Sequence, residues 1–213
     1  MSRLRSLSPD PSTLHWHEAI SWQEKTALKQ LIRKRFVLQH SAHIQHFLPR
    51  LFGVWQADQP LAAVGLRLAS SGPLFLERYL DGQAEEILMK RFQSSLVRQD
   101  IAEIGNLVSL RPGLQRQLFL YLAYQLAEEG IAWLLFTATP EVANGLRRMG
   151  FEPQPIMPAD PERLGDESHL WGRYYKHRPW VMAGDLRYAI QMLQTRLEVA
   201  ETAVEEVLHA RIA

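Results

Sequence analysis

The chain has no cysteine in its 213 residues. That excludes disulfides, thiolate metal sites and a cysteine nucleophile, so any reactive group belongs to another residue type. It also lacks a long apolar run. Stretches such as Ile131 to Phe136 fall far short of the ~20 residues that span a bilayer. Charge of one sign is not in excess, with 24 Lys and Arg against 23 Asp and Glu, so no global field draws the chain to nucleic acid. Gly-x-Ser-x-Gly, Walker and dinucleotide fingerprints are missing, and with them the enzyme classes they mark. Residues 1–13 carry Arg3 and Arg5, then Ser, Pro and Asp without an apolar segment. They read as a flexible leader with no cleavable signal, which leaves the cytoplasm as the expected compartment.

What is present is an ordinary globular composition, 46% hydrophobic and 22% charged. From Ser21 to about His46 apolar residues recur every three to four positions, which predicts one or two amphipathic helices started by Ser21 and ended before Pro49. Leu51 to Trp55 and Leu61 to Leu68 predict an antiparallel hairpin around Ala57-Asp58-Gln59-Pro60, with Gly65 as a bulge or a crowded point. Pro73 to Leu80 suits a strand or a helix entrance equally. A helix is expected over 84–97, a strand over 101–110, and an apolar helix from Leu114 to Glu129 between Pro112 and Gly130. Ile131 to Thr137 has the continuous hydrophobicity of a doubly buried strand. A short helix over 141–149 stops at Gly150, and Phe151 opens a strand or loop. A polar loop over 160–167 and an aromatic strand over 170–175 follow. The last element expected is one helix from Asp185 to Ile212, with Leu186, Ile190, Leu193, Leu197, Val204 and Leu208 on one side, a candidate dimer seam. The whole reads as α+β or mixed α/β around a single sheet, one domain over 14–184 with an appended helix.

Ile101 to Pro153, ending in Leu146-Arg147-Arg148-Met149-Gly150-Phe151-Glu152-Pro153, resembles the GNAT acyltransferase superfamily. More specific are Gly65-Leu66-Arg67-Leu68-Ala69, Leu74-Phe75-Leu76-Glu77-Arg78-Tyr79-Leu80-Asp81, Glu103-Ile104-Gly105-Asn106-Leu107, Phe136-Thr137-Ala138-Thr139 and Trp171-Gly172-Arg173-Tyr174-Tyr175. These resemble the thermostable hemolysin family, whose layout is similar to that of acyl-homoserine-lactone synthases. The resemblance implies a central mixed sheet flanked by helices and an acyl carrier protein or coenzyme A thioester as donor, with no permanently bound cofactor. It implies a small amine or amino-acid-like acceptor, with Arg35, Arg67 and Glu77 as its polar contacts, and places Thr137 on the donor side. One motif departs. GNAT pyrophosphate loops read Arg or Gln, any, any, Gly, any, Gly or Ala, whereas this chain has Arg111-Pro112-Gly113-Leu114-Gln115-Arg116. A carrier-bound phosphopantetheine, with a single phosphate, asks less of that loop.

Acyl transfer to an amine needs a base, an oxyanion donor and a proton for the leaving thiolate. Glu103 is the candidate base, since burial within an apolar strand raises a carboxyl toward the working range; a structural salt bridge to Arg67 or Arg35 explains it equally well. Gly105 and Asn106 interrupt the strand as a bulge does, exposing backbone N–H groups around Leu107, Val108 and Ser109 to pantetheine or an oxyanion. A tolerated turn is the plainer alternative. Arg111, Gly113, Gln115 and Arg116 open a helix, where a phosphate is favoured; solvated cap residues look the same. Arg67 and Glu77 are each equally readable as half of an ion pair. Tyr174 or Tyr175 can supply the proton, although strand tyrosines more often pack. His40, His43 and His46 at helical spacing spread too widely to converge on a metal. The alternatives to an enzyme are a catalytically lapsed ligand-binding protein and a protein that lyses membranes directly. The second fits poorly, because Glu198, Glu201, Glu205 and Glu206 line the final helix where a surface-binding amphipath carries Lys and Arg.

Overall fold

The computed structural model describes residues 13–93, 95–148 and 150–192. The leader expected over 1–13, apart from Thr13, and the C-terminal helix beyond residue 192 with its proposed dimer seam lie outside the described residues. The seven strands described form one mixed sheet in the order β1-β2-β3-β4-β5-β7-β6. They are β1 (Leu14–Glu18), β2 (Arg50–Gln56), β3 (Gln59–Leu68), β4 (Ile101–Ser109), β5 (Trp133–Ala138), β6 (Gln154–Pro158) and β7 (Trp180–Asp185). The helices are α1 (Trp22–His40), α2 (Ala84–Phe92), α3 (Leu114–Glu128) and α4 (Pro140–Arg148), with the described part of the final helix over 186–192. Two compact units divide the described residues, one within 13–67, 104–122 and 166–174, the other within 68–103, 123–165 and 175–192.

In the first unit β1, β2 and β3 run antiparallel, with Trp16 opposite Val54 and Phe52 opposite Val64. The hairpin turns at Ala57 and Asp58, Ala57 at φ 49°, so Gln59 and Pro60 belong to β3 and not to the turn. Gly65 is the crowded point: a Cβ there would stand 2.8 Å from Asn106 Oδ1 and 2.9 Å from the Leu48 side chain. Leu28, Leu31, Ile32 and Phe36 of α1 bury against Leu51, Trp55, Ala63 and Val108, an apolar stripe that supplies most of this helix's stability.

The start of α1 was legible at Ser21. Its Oγ accepts from Glu24 N (3.2 Å) while the Glu24 carboxylate accepts from Ser21 N (2.9 Å), a capping box. Ser21→Ala is expected to cost about 1 kcal/mol, read from urea unfolding. The Glu24 carboxyl is lowered to about 2, first by the Ser21 amide and hydroxyl, then by His17 and the Ile20 amide. A carboxyl held below its unfolded value stabilises the fold above about pH 4.5 and loses that contribution as pH falls toward 2. Unfolding midpoints measured from pH 6 to 2 should therefore decline less steeply in Glu24→Gln than in the unaltered chain.

α1 ends at His40, not His46. Ser41 sits at φ 52° and donates to Val37 O (2.9 Å), and Ala42 N donates to Phe36 O (3.3 Å), the hydrogen-bond pattern of a left-handed helix stop. His43 and His46 thus leave the helix that their spacing presupposed. β1 has no counterpart among the expected elements.

In the second unit β7 pairs antiparallel with β5 (Phe136 opposite Met182) and with β6 (Met157 opposite Val181). Pro73–Leu80 resolves as a 3-10 helix over Phe75–Tyr79. α2 stops at Phe92, five residues before the expected end, because Gln93 takes φ 51°; Phe92 instead stacks on Trp133 at 4.6 Å. The expected loop over 160–167 is 3-10 turn within Pro161–Trp171. The expected strand over 170–175 does not form. Gly172 has φ 53°, outside any strand, and the strand comes later, as β7. Asp185 does cap the final helix, its Oδ1 accepting from Tyr188 N (3.0 Å).

Candidate active site

β4 carries the two residues on which the chemistry was expected to turn. Its sequence is apolar at both ends, so the strand is drawn inward and takes Glu103 with it, a carboxylate 5% exposed. Oε2 accepts from Phe75 N (2.7 Å) and Oε1 from Leu76 N (3.1 Å). Glu103 therefore anchors the first turn of the Phe75–Tyr79 helix, whose free N–H groups need an acceptor. Arg35, one of the two salt-bridge partners considered for it, makes no ion pair among the described residues.

Three residues on, Asn106 sits at φ 54°, a conformation Asn tolerates better than most side chains. Its Oδ1 accepts from Leu48 N (3.0 Å). That bond fixes the amide orientation, since an N–H requires an oxygen, and leaves Nδ2 as a donor. Leu107 is half-buried, and the Val108 side chain is spent in the core. Ser109 folds back locally, its Oγ donating to Arg111 O (2.7 Å) and accepting from Arg111 N (3.2 Å). Arg111 in turn donates to Gln56 Oε1 (2.9 Å). The loop then turns through Gly113 at φ 84°, and Gln115 and Arg116 stand exposed in the first turn of α3. Thr137 lies half-buried on β5, opposite Val181.

The acceptor candidates are spread differently. Arg35 lies half-buried on α1, its Nε without an acceptor among the described residues, and Arg67 lies half-buried on β3. Glu77 is half of an ion pair. Arg98 Nη1 donates to Glu77 Oε1 and Glu85 Oε2 (2.7 Å each), Nη2 to Glu77 Oε2 and Gly72 O (3.0 Å each), and Nε to Ala69 O (2.8 Å). All five guanidinium hydrogens are thereby used. Leu74 N and Ala84 N also donate to Glu77 (2.8 and 2.9 Å). Burial pushes this carboxyl up, but Arg98 and the two amides outweigh it and hold the carboxyl below its ordinary value. Glu77, Arg98 and Gly72 line an open cleft of about 380 Å³ with Pro73, Gly82 and Gln83.

Tyr174 is buried edge-on to His40 (5.3 Å between centroids) and beside Trp171 (5.5 Å). Tyr175 bonds the buried Tyr79 through their hydroxyls at 2.6 Å, a pair no sequence pattern pointed to, because the two lie 96 residues apart. Arg98 was missed for the same reason; Glu24 was readable, as the fourth residue of a Ser-x-x-Glu box.

Several proteins of known structure share this fold. FeeM, an N-acyl amino acid synthase from uncultured soil microbes, matches at 13% identity and a TM-score of 0.61, over 86% of this chain and 98% of its own. BjaI, a CoA-dependent acyl-homoserine lactone synthase solved with SAM and isopentyl-CoA, matches at 14% and 0.57, over 87% and 89%. An acyl-CoA N-acyltransferase from Pseudomonas aeruginosa matches at 18% and 0.51, over 80% and 99%. At such identities the likeness shows the fold alone, that of GNAT-like acyltransferases. None of the curated proteins matches the chain. The family model for thermostable hemolysin matches residues 20–190, most of the sequence, and the chain belongs to that family.

Proposed function

We propose that the chain is an N-acyltransferase that moves a fatty acyl group from an acyl carrier protein or acyl-coenzyme A thioester to a small amine or amino-acid-like acceptor. The observation that carries this reading is Glu103, a buried carboxylate in the middle of β4 of a GNAT-like sheet. Its two oxygens accept from the Phe75 and Leu76 amides, which fix the position of the carboxylate. In the reaction Glu103 takes a proton from the acceptor ammonium, and the freed nitrogen attacks the thioester carbonyl. Charge builds on the carbonyl oxygen, where the Asn106 amide and the β4 backbone around Leu107 and Val108 supply donors. The C–N bond forms and the C–S bond breaks; the leaving thiolate takes a proton from Tyr174, the second proton shed by the nitrogen as the amide forms restores the tyrosine, and Glu103 releases its proton to solvent. Arg111, Gly113, Gln115 and Arg116 hold the donor's phosphate at the start of α3, with Ser109 shaping that loop and Thr137 beside the pantetheine. Arg35 and Arg67 orient the acceptor. Glu77, saturated by Arg98 and two amides, serves the frame that holds the Phe75–Tyr79 helix.

Intact-mass analysis tests this. Incubating the purified chain with acyl carrier protein thioesters, acyl-coenzyme A and a pool of amino acids should consume one donor and yield an N-acyl product. The altered Arg111–Arg116 loop favours a second reading, a lapsed enzyme that retains ligand binding; donor binding without turnover would select it. Vesicle lysis by the chain without donor or acceptor would sink the transferase reading.

A further inference from the structure

α1 holds five cations, Lys25, Lys29, Arg33, Lys34 and Arg35, and one acid, Glu24, which its capping box consumes. In a chain with 24 basic and 23 acidic residues this is a local concentration. Lys25, Lys29 and Arg33 follow one another at four-residue steps, a stripe about 12 Å long on the helix surface. None of the three, nor Lys34, makes an ion pair among the described residues. Three arginines outside this helix are paired with acids, Arg50 with Glu18, Arg98 with Glu77 and Glu85, and Arg163 with Asp81. Like charges at four-residue spacing repel, so the stripe weakens the isolated helix and is stabilised by an external anion.

The stripe is also pre-ordered. The Arg33 guanidinium lies 4.9 Å and the Lys29 ammonium 5.7 Å from the centre of the Phe47 ring. Stacking removes rotamer freedom from both side chains, and a held guanidinium suits bidentate contact with carboxylates. The ring the two cations cover, Phe47, belongs to the segment that follows α1. A fixed pair of cations suits a protein surface rich in Asp and Glu.

We propose that this face of α1 docks an acidic carrier protein that bears the acyl group on phosphopantetheine. The choice of a carrier rests on the acyl-transfer reading, and α1 shares its compact unit with the loop assigned to the donor phosphate.

The test uses the full chain and fluorescently labelled holo acyl carrier protein, with binding read by anisotropy. Binding should weaken steeply with salt, and Lys29→Glu/Arg33→Glu should weaken it by about tenfold or more, while Lys90→Glu/Arg148→Glu leaves it unchanged. Turnover with acyl-coenzyme A should be the same in both variants. No carrier binding by the unaltered chain, or equal affinity in Lys29→Glu/Arg33→Glu, overturns the proposal. So does loss of binding to phosphatidylglycerol vesicles in that variant with carrier affinity unmoved. Charge-dependent carrier binding with no donor consumed would leave docking standing and remove acyl transfer. Transfer from acyl-coenzyme A with carrier binding absent would do the reverse.

Discussion

Glu103→Gln is expected to lower the acyl-transfer rate by about 10²- to 10³-fold at neutral pH, within the range that a positioned base contributes. The carboxamide keeps the shape of the side chain and loses the proton acceptor. It also meets Phe75 N and Leu76 N with one oxygen where the carboxylate offered two, so an N–H is left facing an NH2 group. That mismatch adds a stability loss of about 1–3 kcal/mol, which must be separated from the loss of rate. Two measurements do so. Rates are compared per folded molecule, with the folded fraction taken from urea unfolding at the assay temperature. The pH–rate profile is then followed downward: the unaltered chain should lose activity as the base protonates, and Glu103→Gln should show no such limb. A variant that is less stable but retains its rate and its acid limb would make Glu103 an anchor of the Phe75–Tyr79 helix and nothing more.

Gly172→Ala is expected to destabilise the fold by more than about 4 kcal/mol, in the range reserved for strain at a special backbone position. At φ 53° an alanine already costs about 1–2 kcal/mol. A Cβ would in addition overlap the carbonyl oxygens of His40 and Ser41, backbone atoms at the closed end of α1 that cannot swing aside. Relief requires the segment to lift away. That breaks the bonds from Arg173 N to His40 O and from His43 N to Leu170 O, each 2.6 Å. It also withdraws Trp171 from Phe36 and Tyr174 from His40. Urea unfolding followed by far-UV circular dichroism gives the cost, and near-UV dichroism reports the tryptophan. A midpoint within about 0.5 kcal/mol of the unaltered chain, the range of neutral surface changes, would show that this segment is not held against α1.

Much of the order of elements was legible because it is local. Ser21 needs only Glu24 to start α1, and the apolar spacing from Leu28 to Phe36 names the buried face without reference to the rest of the chain. The same holds for Gly130 and Gly150, whose φ values of 83° and 95° end α3 and α4 where glycine was read as a stop. β1 was missed although Leu14-His15-Trp16-His17 alternates with period two, since five residues beside a polar leader give too short a signal. The aromatic phrase from Leu170 to Tyr175 was misread because aromatic content serves a strand and a packed turn equally. Only the close approach of Gly172 to the end of α1, distant in sequence, decides between them.

The candidate site divides along the same line. That a carboxylate lay within an apolar strand was written in residues 101–110, as was the glycine and asparagine pair that breaks the strand's regularity. What Glu103 touches was not, because its partners are backbone amides 27 and 28 residues away that carry no side-chain signature. Glu77 and Arg98 are 21 residues apart, and neither position marks the other. Sequence by itself determined residue chemistry and the elements that local hydrogen bonds and apolar period can form. Which charges pair, which amides a buried carboxylate accepts and which turn must be glycine were decided by tertiary structure, since burial and long-range backbone contact set those energies.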